Sequence, residues 1–152
     1  MEKINRHNMR ITIVRGLVSI DLQKLSDLED SELKDILLYA FDPENAGEEL
    51  YLNYKDSFDE MIVVLKDLLK NLPSIDEVIV AKLEGYRLER LNYTDRAIIR
   101  LATYEYLYKD TPKNIIIDEA ILITKEYSNL DDGLQSKFNN RLLDNICKGK
   151  EQ

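Results

Sequence analysis

The sequence predicts an all-α protein, a compact bundle of about seven helices, and two observations support this. Five glycines and three prolines are spread over 152 residues, and no Asn-Gly or Asp-Gly turn lies between alternating apolar runs, as a β-hairpin would require. Apolar residues recur instead at three- and four-residue spacing along most of the chain. We therefore expect one helical domain over residues 1–152.

The helices can be placed in order, and several have a recognisable start. Thr94 is predicted to cap the fifth helix. Thr111 with Pro112 is predicted to begin the sixth, and Ser74 after Pro73 the fourth. The short connections favour antiparallel neighbours. The predicted ranges are 5–22, 30–41, 47–71, 74–91, 94–109, 112–128 and 134–148.

The first predicted helix begins with positive charge. Lys3, Arg6, His7 and Arg10 follow the spacing that puts side chains on one helix face. The helix dipole disfavours cations at this end, by a few tenths of a kcal/mol to about 1 kcal/mol each. An anionic ligand would offset that cost, so this segment is a candidate binding site. The alternative is a basic end that is merely solvated.

Two glutamates occupy apolar stripes of their helices. Glu105 lies within "RAIIRLATYEYLYKD", residues 96–110, and Glu119 lies in the following helix. A facing pair of carboxylates could act as acid and base. The stronger interpretation is structural: Glu105 should accept at least one backbone N–H from residues 111–115, at the turn into the next helix.

The net charge of −8 is unevenly distributed. Residues 1–15 carry a net charge of +3 and the remainder −11, and residues 21–60 hold 13 carboxylates against three lysines. A general nucleic-acid-binding protein is basic across a face, so any RNA contact here must be local. The acidic block is either a solvated surface or a docking face for a basic partner.

The inventory of residues excludes several classes of site. A single histidine, His7, cannot build the two-histidine metal site of helical bundles, and the five glycines form no phosphate loop. Cys147, the single cysteine, is expected to be a buried thiol. The longest apolar run, 61–65, is too short to span a membrane, and no signal peptide is expected. We expect a cytoplasmic protein without metal, cofactor or enzymatic activity.

The C-terminal half resembles a known family. "YRLERLNYTDRAIIRLATYEYLYKDTPKNIIIDEAILITKEYSN" and the later "SKFNNRLLDNI" are similar to the NusB family of transcription antitermination factors. The resemblance implies an all-helical fold of two packed halves and no catalysis. It also implies binding of boxA-type single-stranded RNA in ribosomal RNA leaders, together with NusE, a small-subunit ribosomal protein, within the RNA polymerase antitermination complex. The matching positions are Arg90-Leu91, Asp95-Arg96-Ala97-Ile98, Leu101-Ala102, Tyr104-Glu105, Pro112, Ile117, Glu119-Ala120, Lys137-Phe138, Asn140 and Leu143-Asp144.

The same resemblance assigns roles to residues. The family has an arginine-rich first helix on its RNA surface, and Arg6 and Arg10 match it, whereas His7 and Asn8 dilute it. The implied RNA-binding residues are Lys3, Arg6, His7, Arg10, Lys137 and Phe138, and the implied NusE-facing residues are Asp95 and Arg96. The chain departs from the family pattern at Val18, Ser19, Tyr86 and Arg141.

Cations and a phenylalanine are suited to single-stranded RNA, because phosphates bind cations and unpaired bases stack on rings. A NusB-fold protein-interaction module with weakened RNA binding is the alternative. Two further hypotheses are an enzyme that uses the two glutamates and a relative of the helical domain attached to some RNA methyltransferases. The sequence leaves open whether the free protein is a monomer or a homodimer.

Overall fold

The computed structural model describes residues 2–128 and 133–148. Over these residues the regular structure is helical throughout, which confirms the all-α prediction. The chain forms two helical units, Met1–Lys70 (unit 1) and Asn71–Gln152 (unit 2). The elements are α1 (Arg6–Gln23), α2 (Asp30–Phe41), α3 (Glu48–Asn53), α4 (Lys55–Lys70), α5 (Leu72–Lys82), the single 3₁₀ turn η1 (Leu88–Arg90), α6 (Tyr93–Tyr108), α7 (Lys113–Tyr127) and α8 (Leu134–Ile146).

Unit 1 has its core between α1, α2 and α4. The buried face of α4 consists of Phe58, Met61, Leu65 and Leu68, all with 0% exposure. Gly16 of α1 packs against α2, and a Cβ at this position would lie in ordinary van der Waals contact, 3.5 Å from both Ile36 and Leu37. Burial of four large apolar side chains on one helix face contributes several kcal/mol to the stability of this unit.

The predicted helix 47–71 is divided into α3 and α4. The break is at Tyr54, whose φ of −128° and ψ of 36° are not helical. Its ring packs edge-on against Phe41 of α2, with the centroids 5.5 Å apart. The helical pattern of the sequence continues through this point, so the break reflects tertiary packing that periodicity does not show.

The predicted helix 74–91 starts earlier and ends earlier than expected. Pro73 lies in the first turn of α5, so Ser74 is inside the helix and is not its cap. The helix stops at Lys82 because Glu84 and Gly85 adopt positive φ values of 47° and 84°. Left-handed backbone ends a helix, and glycine adopts it without a steric penalty.

The N-terminal caps of α6 and α7 also differ from the predictions. Asn92, and not Thr94, caps α6: its side-chain oxygen accepts the backbone N–H of Asp95 at 2.8 Å. Thr111 makes no cap for α7, which follows Pro112 directly. Its hydroxyl instead donates to the carboxylate of Glu105 at 3.1 Å. Half-buried Glu105 is thus linked to the turn after α6 by a side chain, and the backbone N–H contact stays a prediction.

Unit 2 is built around α6. Tyr104 is fully buried in the middle of α6, and Cys147 at the end of α8 is buried as predicted. Arg100 of α6 binds both carboxylate oxygens of Asp76 on α5, at 2.9 Å and 2.8 Å. This two-point geometry fixes the two helices more firmly than a single ion pair would. No helix in the described part of the chain is long and apolar enough to cross a membrane.

Candidate nucleic-acid interface

The segment that leads into α1 is anchored to unit 1. The backbone N–H of Glu2 donates to the carbonyl of Asn53 at 3.0 Å, and that of Ile4 donates to the Ser57 hydroxyl at 3.0 Å. Ile4 is buried, with 7% exposure. The basic residues that follow therefore start from a fixed backbone position.

Four predicted RNA-binding residues lie at this end of unit 1. Lys3 is exposed but precedes the helix, so the face with helical spacing consists of Arg6, His7 and Arg10. Arg6 is the first residue of α1, and its side chain is 69% exposed. His7 and Arg10 are half-buried. The cap is Asn5, which accepts the backbone N–H three residues later at 2.8 Å.

A carboxylate already offsets the positive charge at the start of α1. The first turn of α1 contains no acidic residue, but Arg6 forms an ion pair with Glu60 of α4. Arg6 also lies 3.9 Å from the sulfur of Met9. Glu60 thus supplies, from within the protein, the negative charge that this helix end favours. An RNA phosphate would compete with Glu60 for the same guanidinium.

A second cationic surface lies on unit 2 and includes Lys137 and Phe138. Lys137 is exposed on the first turn of α8, and Phe138 is half-buried beside it. The Phe138 ring packs against the ring of Tyr86, with centroids 5.5 Å apart and a tilt of 50°. The guanidinium of Arg90 lies 5.5 Å from the centre of the Tyr86 ring. These contacts join two rings and one cation, and Lys137 precedes Phe138 in α8.

Arg96 holds the turn that carries this surface. Its side chain is buried, and its Nη1 donates to the carbonyls of Leu88 and Leu91 at 3.3 Å and 3.4 Å. Its guanidinium also lies over the ring of Tyr93, 4.9 Å from the centroid. Its position makes Arg96 a structural link between η1 and α6, and its contact with a protein partner stays a prediction.

Asp95 lies in the interior of unit 2. It is 1% exposed, and its Oδ1 accepts from the Ser128 hydroxyl at 2.6 Å and from the Asn139 amide at 3.1 Å. Asn139 also donates to the Thr124 hydroxyl at 3.1 Å. This network joins α6, α7 and α8. The burial of Asp95 favours a structural role, and its contact with a protein partner stays a prediction.

The structure therefore sorts the predicted site residues into three groups. The N-terminal cations gather in unit 1, Lys137 and Phe138 lie on unit 2, and Asp95 and Arg96 are interior. Sequence reasoning did not single out Tyr86 and Arg90, which lie next to Phe138, or Arg141, which is exposed on α8. The spacing of Lys137 and Arg141, one helical turn apart, was the available signal for the last of these.

Comparison with known proteins places the fold in a family. The NusB family matches residues 7–148. The transcription antitermination protein NusB of Exiguobacterium sp. is 33% identical over 146 residues, covering 95% of this chain and 98% of that protein. The NusB of Pseudothermotoga lettingae is 47% identical over 85 residues, and this match covers 55% of the chain and 59% of that protein.

A solved structure of T. maritima NusB gives the same result in three dimensions. It has a TM-score of 0.77 and 33% sequence identity, and it covers 97% of this chain and 94% of that one. The fold is therefore that of the small all-α antitermination proteins. The chain belongs to the NusB family. The names of these relatives support a role in transcription antitermination, and family membership fits the prediction that the protein is not an enzyme.

Proposed function

We propose that this protein is an antitermination factor that binds boxA-type single-stranded RNA of ribosomal RNA leaders together with NusE. It would act in the cytoplasm, on nascent transcripts, as part of the RNA polymerase antitermination complex. The match of residues 7–148 to the NusB family carries this proposal. The exposed cations of both units supply the means of contact with RNA.

The chemistry of the two surfaces fits this ligand. Arg6 and Arg10 can bind phosphates, with Lys3 and His7 adding positive charge beside them. Phe138 presents a half-buried ring beside the ammonium of Lys137, which suits an unpaired base and its phosphate. A protein with a net charge of −8 binds RNA only where such local clusters outweigh its overall charge.

A titration across salt concentrations tests the proposal. Labelled boxA-type RNA is titrated with the protein, with and without NusE. If three or four phosphates are neutralised, log affinity falls with log salt at a slope of roughly −2 to −3. The double variant Arg6→Ala and Arg10→Ala should bind more weakly and flatten that slope. An unchanged curve would remove the basic helix from the mechanism.

The alternative is a NusB-fold protein-interaction module that has lost strong RNA binding. The Arg6–Glu60 ion pair and the diluted arginine motif favour it, because both reduce the charge available to RNA. The same titration separates the two functions. A protein that binds NusE but leaves the RNA unbound at low salt is the interaction module.

A further inference from the structure

We propose that Tyr86, Arg90 and Arg141 form an additional RNA contact on unit 2, in which an unpaired base stacks on the Tyr86 ring. This inference rests on the proposed function, since it extends the surface already assigned to Lys137 and Phe138. The three residues lie outside the set that the sequence predicts for RNA binding.

The geometry around Tyr86 supports a stacking role. Its side chain is 41% exposed, although it is a large aromatic residue on a short connection. The Phe138 ring supports it from one side, and the Arg90 guanidinium lies 5.5 Å from its centre. Gly85, with φ of +84°, ends the preceding turn and directs the chain into this position. A ring held in this way loses little side-chain freedom when a base stacks on it.

The second part of the contact is a pair of cations on α8. Arg141 follows Lys137 by four residues and Phe138 by three, so its side chain neighbours each of them on the helix surface. Lys137 and Arg141 are both exposed, and neither forms an ion pair with any residue that the structure describes. Asp144 is the one acidic residue among residues 133–148 and follows Arg141 by three positions. Both cations are therefore available to phosphates.

The charge of the surroundings favours RNA at this surface. Unit 2 carries 12 basic and 14 acidic residues, so it is close to neutral, whereas unit 1 carries nine basic and 15 acidic residues. Of the four arginines in residues 86–100, Arg96 is buried and Arg100 is paired with Asp76, so Arg87 and Arg90 are the exposed ones. Glu89 lies 4.0 Å from Arg87, and Asp95 is bound in the interior network. Arg90 thus keeps its charge for the ring and for an approaching phosphate.

The test uses the full chain and a single-stranded boxA-type RNA in which each base in turn is replaced by 2-aminopurine. Binding to the wild type should quench the fluorescence at one position where the base stacks on Tyr86. Tyr86→Leu should weaken binding at least about fivefold and abolish that quenching, because one stacking contact is lost. Tyr86→Phe keeps the ring and should retain both. Tyr108→Leu is the matched control, since Tyr108 is also 41% exposed and also packs on a second ring, that of Tyr104.

A charge variant keeps the test independent of folding. Arg141→Gln changes an exposed residue and should reduce the salt slope by about 0.7, the value for one phosphate contact with single-stranded RNA. Lys125→Gln, on the exposed side of α7, is its control and should leave the slope unchanged. If Tyr86→Leu and Arg141→Gln bind like the wild type while Arg6→Ala with Arg10→Ala binds weakly, the additional contact is refuted and the proposed function stands. If the wild type binds no RNA with or without NusE, both the additional contact and the proposed function are refuted.

Discussion

Under the proposed function, replacing Glu60 by glutamine should strengthen RNA binding, because Glu60 would compete with an RNA phosphate for Arg6. In the free protein the carboxylate of Glu60 pairs with the guanidinium at the exposed start of α1. An RNA phosphate can use that guanidinium fully only after the pair separates. Glutamine keeps the size of the side chain and removes the negative charge, so the competition ends while the packing of α4 is preserved.

The exposure of the pair sets the size of the effect. The two side chains are 69% and 44% exposed, and ion pairs in such positions are worth about 0 to 1 kcal/mol. Since about 1.4 kcal/mol corresponds to a factor of ten, Glu60→Gln should raise affinity by up to about fivefold. The gain should shrink at high salt, where exposed charges are screened.

A double-mutant cycle shows whether the gain passes through Arg6. Affinities for labelled single-stranded RNA are measured by fluorescence anisotropy for Glu60→Gln, Arg6→Ala and the double variant. The gain should disappear in the Arg6→Ala background. Glu44→Gln, an exposed carboxylate of the same unit, controls for the change in net charge. An equal gain in Glu44→Gln, or one that persists without Arg6, would refute the competition.

Two further predictions concern stability. Asn139→Ala should destabilise unit 2 by about 2–4 kcal/mol, because the buried carboxylate of Asp95 loses a hydrogen-bond donor. The temperature of thermal unfolding should fall by roughly 5–15 °C. The control Asn140→Ala changes an exposed residue and should shift it little, and equal shifts in the two variants would contradict the role of the network. The pKa of Asp59 is lowered from its ordinary value of 3.8, first by the hydrogen bond from Lys55. The contribution of the ionised Asp59 carboxylate to folding stability is therefore complete above pH 3.8, and it is lost as the pH falls through the lower pKa of the folded state. Asp59→Asn should lower the free energy of unfolding, measured by urea denaturation, by less than about 1 kcal/mol at pH 7 and leave it unchanged near pH 2. An equal loss at both pH values would show that the carboxylate charge plays no part.

The sequence predicted most helices, because their signals are local. The ranges of α1, α2, α6 and α8 agree with the predictions to within two residues at each end. The cap of α6 was misplaced because Asn92 and Thr94 are both good capping residues, and local pattern alone does not choose between them. In the structure Asn92 makes the capping bond, and Arg96 holds the preceding turn through the carbonyls of Leu88 and Leu91.

The site was less predictable because its key contacts join residues far apart in the chain. The cations at the start of α1 can be recognised directly in the sequence, but Glu60, the carboxylate that pairs with Arg6, follows it by 54 residues. The sequence places the charge of Asp95 at the start of a helix. Its burial, however, depends on Ser128 and Asn139, which follow it by 33 and 44 residues. Periodicity places a residue on a face of its own helix, whereas these contacts depend on which faces meet.

Under the proposed function, the distribution of charge makes unpaired bases matter more to this chain than to a basic RNA-binding protein. Stacking on a ring is independent of net charge, so it adds affinity that the acidic residues do not reduce. If a basic protein partner docks on the acidic block over residues 21–60, the negative charge has the opposite effect and attracts the partner. Salt would then screen that attraction and weaken the partner complex. When the chain binds RNA alone, salt screens two opposing forces: the repulsion between the acidic block and RNA, and the attraction between the cations and RNA. The two effects of salt on affinity partly cancel. RNA binding without the partner should therefore depend less on salt than RNA binding by the pair, and the difference between the two slopes measures what the partner contributes.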